Sequence, residues 1–205
     1  MANELVAFLS RYMDLSAELE AVFASAELVR RFPKGAVLLR AGEIPDKSYF
    51  VLSGCLRSYV VKNGAEKTID FILEEEAAIP LAYGTGAPAE EYLECLEATV
   101  AVVNGVEGEA RMLAAHPELK EVCLAMAEIM AAKLRGNLAR YKTSTPEERY
   151  RDLAARRPEL LRRIPQYHIA SYLGVEPESL SRIRRRLARP AGKGAAGKTP
   201  GGDRS

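Results

Sequence analysis

Glu178, Ser181 and Arg182 carry the three side-chain chemistries best suited to reading base edges. An arginine fork matches guanine O6 and N7 together, a carboxylate accepts from a cytosine amino group, and a serine hydroxyl adapts to either, each good contact giving about 1–3 kcal/mol of discrimination. On a helix these three residues and Arg185 share one side, while Leu180 and Ile183 point to the other. Arg184, Arg185 and Arg186 point in successive directions, which suits phosphate contacts or solvated charge. Ser179 on the same segment and Gln166, one helix earlier, complete the candidate DNA-contacting set.

Positioning such a face requires a second helix behind it. Residues 166–187 read as two short helices joined by a tight turn: Ala170 is small where the helices must cross, and Gly174 stands where the turn needs positive φ. Outward polar residues at the start of the second helix are what a helix-turn-helix uses in the major groove. An ordinary surface hairpin with a basic face is the alternative. Upstream, Thr143-Ser144-Thr145-Pro146-Glu147-Glu148 has the hydroxyl cap, first-turn proline and carboxylates of a helix start. Tyr150, Leu153 and Ala154 follow, the helix breaks near Pro158, and Leu160, Leu161 and Ile164 supply apolar cover.

Charge points to the same end of the chain. Residues 140–189 hold 13 Lys or Arg against 6 Asp or Glu, whereas residues 1–139 hold 13 against 21. A basic segment is drawn to a phosphate backbone by counterion release and an acidic one is repelled, so the C-terminal part is the expected nucleic-acid surface. With 205 residues, 48% of them apolar, the chain can form two moderate cores, which the charge split favours. It has no run of about 18 apolar residues and no signal-peptide pattern, so no membrane partner and a cytoplasmic location are expected. Cys55, Cys95 and Cys123 are odd in number and widely spaced, which favours buried thiols over disulfides or a metal site.

Residues 3–26 look helical, with Leu5, Phe8, Leu9 and Tyr12 on one face, then Ser16 capping a segment with Leu19, Val22 and Phe23. From Glu27 to about Asn104 the period becomes that of strands: 28–32, 37–39, 49–52, 56–61, 67–73 and 93–103, with Asn63-Gly64 as a two-residue hairpin turn. Many short strands imply a sandwich or small barrel. After Pro117 a helical period runs to Tyr141. Cys123, Ala127, Met130, Leu134, Asn137 and Tyr141 form a narrow stripe that suits a dimer seam, with Asn137 setting the register; packing on the chain's own β domain is the alternative.

In order and motifs the chain resembles the Crp/Fnr superfamily of bacterial regulators, Bacteroidetes-type, over residues 15–189. The resemblance rests on Phe32-Pro-Lys-Gly35, Ala41-Gly-Glu43, Tyr49-Phe-Val-Leu-Ser-Gly54, Ile169-Ala-Ser-Tyr-Leu-Gly174 and Pro177-Glu-Ser-Leu-Ser-Arg182. It implies an α+β protein: an N-terminal jelly-roll β-roll sensor of the cyclic-nucleotide-binding type (1–116), a dimerisation helix (117–142) and a C-terminal helix-turn-helix domain (143–189), followed by a tail (190–205) expected to be disordered. It further implies a homodimeric transcriptional regulator on a palindromic duplex operator, with RNA polymerase as a further expected partner. The family's Glu-x-x-Ser-Arg pattern is matched at Glu178, Ser181 and Arg182. Glu176 departs from the usual Ser or Thr cap, and the family's C-terminal wing strands have no counterpart.

Cyclic-nucleotide members hold the phosphate with a Gly-Glu and an Arg-Ser pair, yet here no Lys or Arg occurs between Lys67 and Arg111. Glu90 and Glu91 stand near the expected arginine, where they would repel a phosphate. Cyclic AMP is therefore not the expected ligand. A cavity lined by Leu81, Tyr83, Tyr92 and Leu96 is the candidate site for an unknown small-molecule effector; core packing of these residues and binding without any effector are the alternatives. No cofactor, metal site or catalytic residue is expected: His116 and His168 fall in different parts of the chain, and no glycine elbow or phosphate loop marks a nucleophile. The competing functional class is a β-roll small-molecule-binding module or enzyme whose basic domain serves other contacts.

Overall fold

The computed structural model describes residues 6–7, 9–11, 14–24 and 28–188. The expected tail 190–205, and Leu5, Phe8 and Tyr12 of the N-terminal helical face, lie outside the described residues. Among the described residues, eight antiparallel strands form two four-stranded sheets. Their ranges are β1 (Val29–Phe32), β2 (Val37–Leu39), β3 (Lys47–Ser53), β4 (Leu56–Lys62), β5 (Ala65–Ile72), β6 (Ala77–Ala78), β7 (Tyr92–Cys95) and β8 (Thr99–Gly105). One sheet has the order β1-β8-β3-β6 and the other β2-β7-β4-β5. The roll is preceded by α1 (Ala17–Ala24) and followed by α2 (Val106–Ala115), α3 (Leu119–Thr143), α4 (Pro146–Arg156), α5 (Pro158–Arg163), α6 (Gln166–Leu173) and α7 (Pro177–Ala188).

Strand alternation explains why several strands read as nearly continuous apolar runs: both faces of each sheet are covered. Between the sheets lie Tyr49, Val51, Leu56, Ile72, Leu93 and Ala101. The residues between them in sequence, Phe50, Leu52, Val100 and Val102, point outward and pack with Leu19, Phe23 and Leu119 of α1 and α3. On the second sheet the outward residues Cys55, Phe71 and Leu73 pack with Leu153, Leu160, Ile164, Ile169, Leu173 and Leu180 of the C-terminal helices. The C-terminal helices therefore share a core with the roll's outer face, where the charge split alone favoured two separate cores.

Three further expectations change. The run 93–103 is two strands, β7 and β8, in different sheets, because the chain turns between Cys95 and Thr99 and crosses the roll. Helix α2 is not among the expected elements; none of its residues is fully buried and no side chain caps it, which leaves Glu107 and Glu109 in its first turn as its start signal. Cys123 is exposed, unlike the buried Cys55 and Cys95. The hairpin turn is as expected: Asn63 and Gly64 both have positive φ, 52° and 74°, the conformation that a two-residue turn requires.

Candidate nucleic-acid interface

Helix α4 begins with the capping box its sequence implies: the Thr145 hydroxyl accepts from the Glu148 N–H, and the Glu148 carboxylate accepts from the Thr145 N–H. Leu153, Leu160 and Ile164 are buried beneath the next two helices. Between α6 and α7 the chain reverses at Gly174, which has φ 69° and ψ 36°. The Val175 N–H donates to the Ala170 carbonyl at 3.0 Å, closing a Schellman-type end on the fully buried Ala170. A Cβ at Gly174 would stand 3.0 Å from the Tyr141 hydroxyl at the end of α3.

Helix α7 is anchored by buried Leu180 and Ile183. Glu178, Ser181, Arg182, Arg184, Arg185 and Arg186 are exposed, and Gln166 is exposed at the start of α6. Glu178, Ser181, Arg182 and Arg185 form one polar face opposite the two anchors. Ser179 differs from its neighbours in being half-buried, and its hydroxyl accepts from the Arg182 guanidinium at 3.0 Å, so it holds Arg182 instead of facing outward. Arg186 is ion-paired to Glu147 on α4. Arg184 and Arg185 remain as exposed cations on this helix.

Sequence reading missed the groups that seat these helices on the roll. Arg163 donates to both oxygens of Glu74 at 2.7 and 2.8 Å, to both oxygens of Glu97 at 2.7 and 3.1 Å, and to the Gly54 carbonyl at 3.0 Å. Arg157 donates to the Phe71 carbonyl at 3.1 Å and to Glu76 at 2.9 Å. Lys133 on α3 reaches the same Glu76 carboxylate at 2.9 Å. Strand β5 is a sheet edge, and the Ser171 hydroxyl closes it, accepting from the Thr68 N–H at 2.9 Å and donating to the Glu66 carbonyl at 3.1 Å. Beneath α6, Arg57 is 1% exposed and pairs with Glu66 at 2.6 Å and Glu94 at 2.9 Å. Part of the charge split is thus neutralised inside the molecule; the only sequence signal for it was an acidic run at 74–76 in a chain whose basic residues gather after 140.

The candidate effector residues occupy separate environments. Leu81 is 79% exposed, and its N–H donates to the buried Glu91 carboxylate at 2.8 Å. The Tyr83 hydroxyl donates to Glu109 on α2 at 2.8 Å. Tyr92 stacks on Tyr59 with ring centroids 5.0 Å apart, and Leu96 packs beneath the C-terminal helices.

Along α3 the six expected seam residues differ in exposure. Cys123, Ala127, Leu134 and Tyr141 are exposed, but Met130 and Asn137 are half-buried, and Asn137 accepts from Arg140 at 2.6 Å on its own helix. Leu119, Met126 and Lys133 face the roll, and, among the described residues, the exposed large apolar side chains of α3 are Leu124, Ile129, Leu134, Leu138 and Tyr141, at 62, 53, 66, 54 and 56% exposure.

Burial pushes the Cys55 thiol up to about 12 and raises that of Cys95, so neither is an activated nucleophile. Among the described residues no group of three or more His, Cys, Asp or Glu is placed to hold a metal ion, and no helix is long and apolar enough to cross a membrane.

Residues 29–122 match the cyclic nucleotide-binding domain family. No curated protein sequence matches the chain. Among solved structures, FixK2 from Bradyrhizobium japonicum is similar at 18% identity and TM-score 0.63, with 78% of this chain and 83% of that chain covered. The c-di-GMP-responsive global regulator CLP of Xanthomonas campestris aligns at 16% identity and TM-score 0.60, covering 78% and 85%. A mutant of CooA from Carboxydothermus hydrogenoformans aligns at 13% identity and TM-score 0.59, covering 78% and 75%. Residues 29–122 are thus similar to the cyclic nucleotide-binding domain family, and over 78% of its length the chain shares the fold of FixK2, CLP and CooA.

Proposed function

We propose that the protein is a sequence-specific DNA-binding transcriptional regulator that acts as a homodimer, with a β-roll at 1–116, a dimerisation helix at 117–142 and a reader domain at 143–189. The observation that carries this reading is the α7 face. Glu178, Ser181, Arg182 and Arg185 stand outward on a helix whose opposite side is locked by Leu180 and Ile183 and whose entry turn is held by Gly174. Dimerisation is supported by Leu124, Leu134 and Leu138, apolar side chains exposed on one side of a 25-residue helix. Two α7 helices related by a two-fold axis would meet two half-sites about 34 Å apart on a palindromic operator.

The sensor roll lacks the chemistry for a cyclic nucleotide phosphate. Its 78–91 segment contains no cation, and Glu91 puts a buried carboxylate on the Leu81 N–H. A phosphate would meet a like charge there. Cyclic AMP is therefore excluded from this reading, and no enzymatic step is assigned to the chain.

Selection of bound duplexes from a random pool, repeated with Arg182→Ala, tests the proposal. A palindromic motif that relaxes at one base pair per half-site in the variant is the expected result. Binding without any motif, or a motif indifferent to Arg182, would overturn it in favour of a β-roll module with a basic contact domain.

A further inference from the structure

Two acid–arginine pairs on α4 set an internal standard for α7. Glu147 and Arg151 meet at 2.7 Å, and Asp152 and Arg156 at 2.6 Å, each with the carboxylate four residues ahead of the arginine. That spacing and order bring the two side chains together on one side of a helix and agree with its dipole. Glu178 and Arg182 on α7 have the same spacing and the same order, and both are exposed. They are not paired. Among the described residues Glu178 forms no ion pair, and Arg182 instead donates from Nη2 to the Ser179 hydroxyl oxygen at 3.0 Å.

Ser179 is placed to make that choice. It lies in the first turn of α7, its N–H donating to the Glu176 carbonyl at 3.0 Å, and it is half-buried where Glu178, Ser181 and Arg182 are exposed. Its short side chain has little freedom, whereas arginine carries a flexible stem and a guanidinium with several donors. One donor engaged by Ser179 leaves the others for a base edge. The bond one turn back along the helix draws the guanidinium to Ser179 and away from the Glu178 carboxylate.

The opposite arrangement would silence both groups. With Arg182 on Glu178, the fork is filled by a carboxylate where guanine O6 and N7 should bind, and the carboxylate oxygens are filled where a cytosine amino group should donate. The pair would have to break before either residue could read a base.

We propose that Ser179 is a specificity-determining positioning residue, whose hydroxyl holds Arg182 off Glu178 and so keeps the two as independent base-reading groups. The role rests on the regulator reading above, since it concerns how α7 reads a duplex. It makes one serine act on two base pairs per half-site through its neighbours.

Duplex selection with the full chain tests this on Ser179→Ala, on Ser179→Thr, and on Ser179→Ala combined with Glu178→Gln. In Ser179→Ala the motif should weaken at two base pairs per half-site, those that Glu178→Gln and Arg182→Ala each relax singly, and affinity for the wild-type motif should fall about tenfold. Ser179→Thr keeps the hydroxyl and should restore both positions. Once Glu178 is glutamine no carboxylate can capture Arg182, so adding Ser179→Ala should leave the Arg182 base pair as well read as in Glu178→Gln alone. Nuclear Overhauser contacts give a readout without DNA: the Arg182 Nε proton of the free chain should lie near Ser179 in the wild type and near Glu178 in Ser179→Ala. Weakening at one base pair only, or an Arg182–Glu178 contact in the wild-type free chain, would overturn the role. A wild-type chain that selects no motif removes the regulator reading and this role with it, whereas a wild-type motif that Ser179→Ala leaves intact removes this role alone.

Discussion

Arg163 and Glu74 are 89 residues apart in sequence and meet fork to fork, Nη1 to Oε2 at 2.8 Å and Nη2 to Oε1 at 2.7 Å. The same Glu74 oxygen Oε1 accepts from the Gly54 N–H at 2.9 Å, and Arg163 donates to the Gly54 carbonyl. The pair is therefore built around a strand end, where Gly54 has φ 103° and a Cβ would fall 2.6 Å from the Thr99 hydroxyl. Through it the C-terminal helices are fixed to the roll by geometry, in addition to the apolar surface around Phe71 and Leu160.

Glu74→Gln tests the pair through its pH dependence. The hydrogen bond from Arg163 holds the Glu74 carboxyl below its ordinary value of 4.5. A carboxylate depressed on folding stabilises the native state fully above its unfolded pKa, and that contribution is lost as pH falls through the lower native value. The variant should be less stable by about 1–2 kcal/mol at neutral pH, a figure reduced for the partial exposure of both side chains. Urea melts should show this difference shrinking below about pH 4.5. A difference that is constant from pH 7 to pH 3 would rule out the pair as its source.

Gly174→Ala should cost about 1–2 kcal/mol, because the α6–α7 turn needs a left-handed residue there. The added methyl also presses on the Tyr141 hydroxyl, so the strain reaches the end of α3. Thermal denaturation measures the first effect and duplex binding the second. Unchanged melting would show that the turn takes another conformation.

Features set by a few neighbouring residues were legible from the sequence. The Thr145 capping box, the Asn63-Gly64 hairpin, the Gly174 turn and the Leu180/Ile183 anchors each depend on chemistry within four positions, and each stands where the sequence placed it. What escaped were choices among many equivalent partners. Nothing local distinguishes Arg163 and Arg157, which serve the roll, from Arg184 and Arg185, which face solvent. For α3 the repeat gave the spacing of the apolar residues but not which side the roll would cover; Lys133 decides that by reaching Glu76, turning Met130 and Asn137 inward. The expected effector residues meet separate partners for a similar reason, since their sequence positions say nothing of the α2 carboxylate that engages Tyr83 or of the C-terminal helices that cover Leu96.

Leu134 belongs both to the expected seam stripe and to the exposed Leu134–Leu138 edge of α3, whereas Asn137 and Leu138 distinguish the two. Leu134→Asp and Leu138→Asp should each convert a dimer to a monomer in light scattering, while circular dichroism stays that of a folded protomer, because both side chains are mostly exposed. Asn137→Ala should leave the mass of the dimer unchanged, since Asn137 is engaged by Arg140 on its own helix. If Asn137→Ala dissociates the dimer and Leu138→Asp does not, the expected stripe is the seam after all.

His168 supplies the second pH-dependent prediction, of opposite origin to that of Glu74. It is 6% exposed between α6 and the roll, and its imidazole is pushed down to about 4, first by burial and then by the charge of Arg57; Glu66 acts in the other direction. In the unfolded chain the ring takes a proton below about 6.5, whereas in the folded protein it stays neutral until about pH 4. Within that window the unfolded state binds more protons, so stability is complete above pH 6.5 and declines as pH falls toward 4, by up to about 3 kcal/mol. His168→Gln should remove this slope and leave the decline below pH 4.5 that comes from Glu74. A wild-type slope that survives the substitution would show that it does not come from His168.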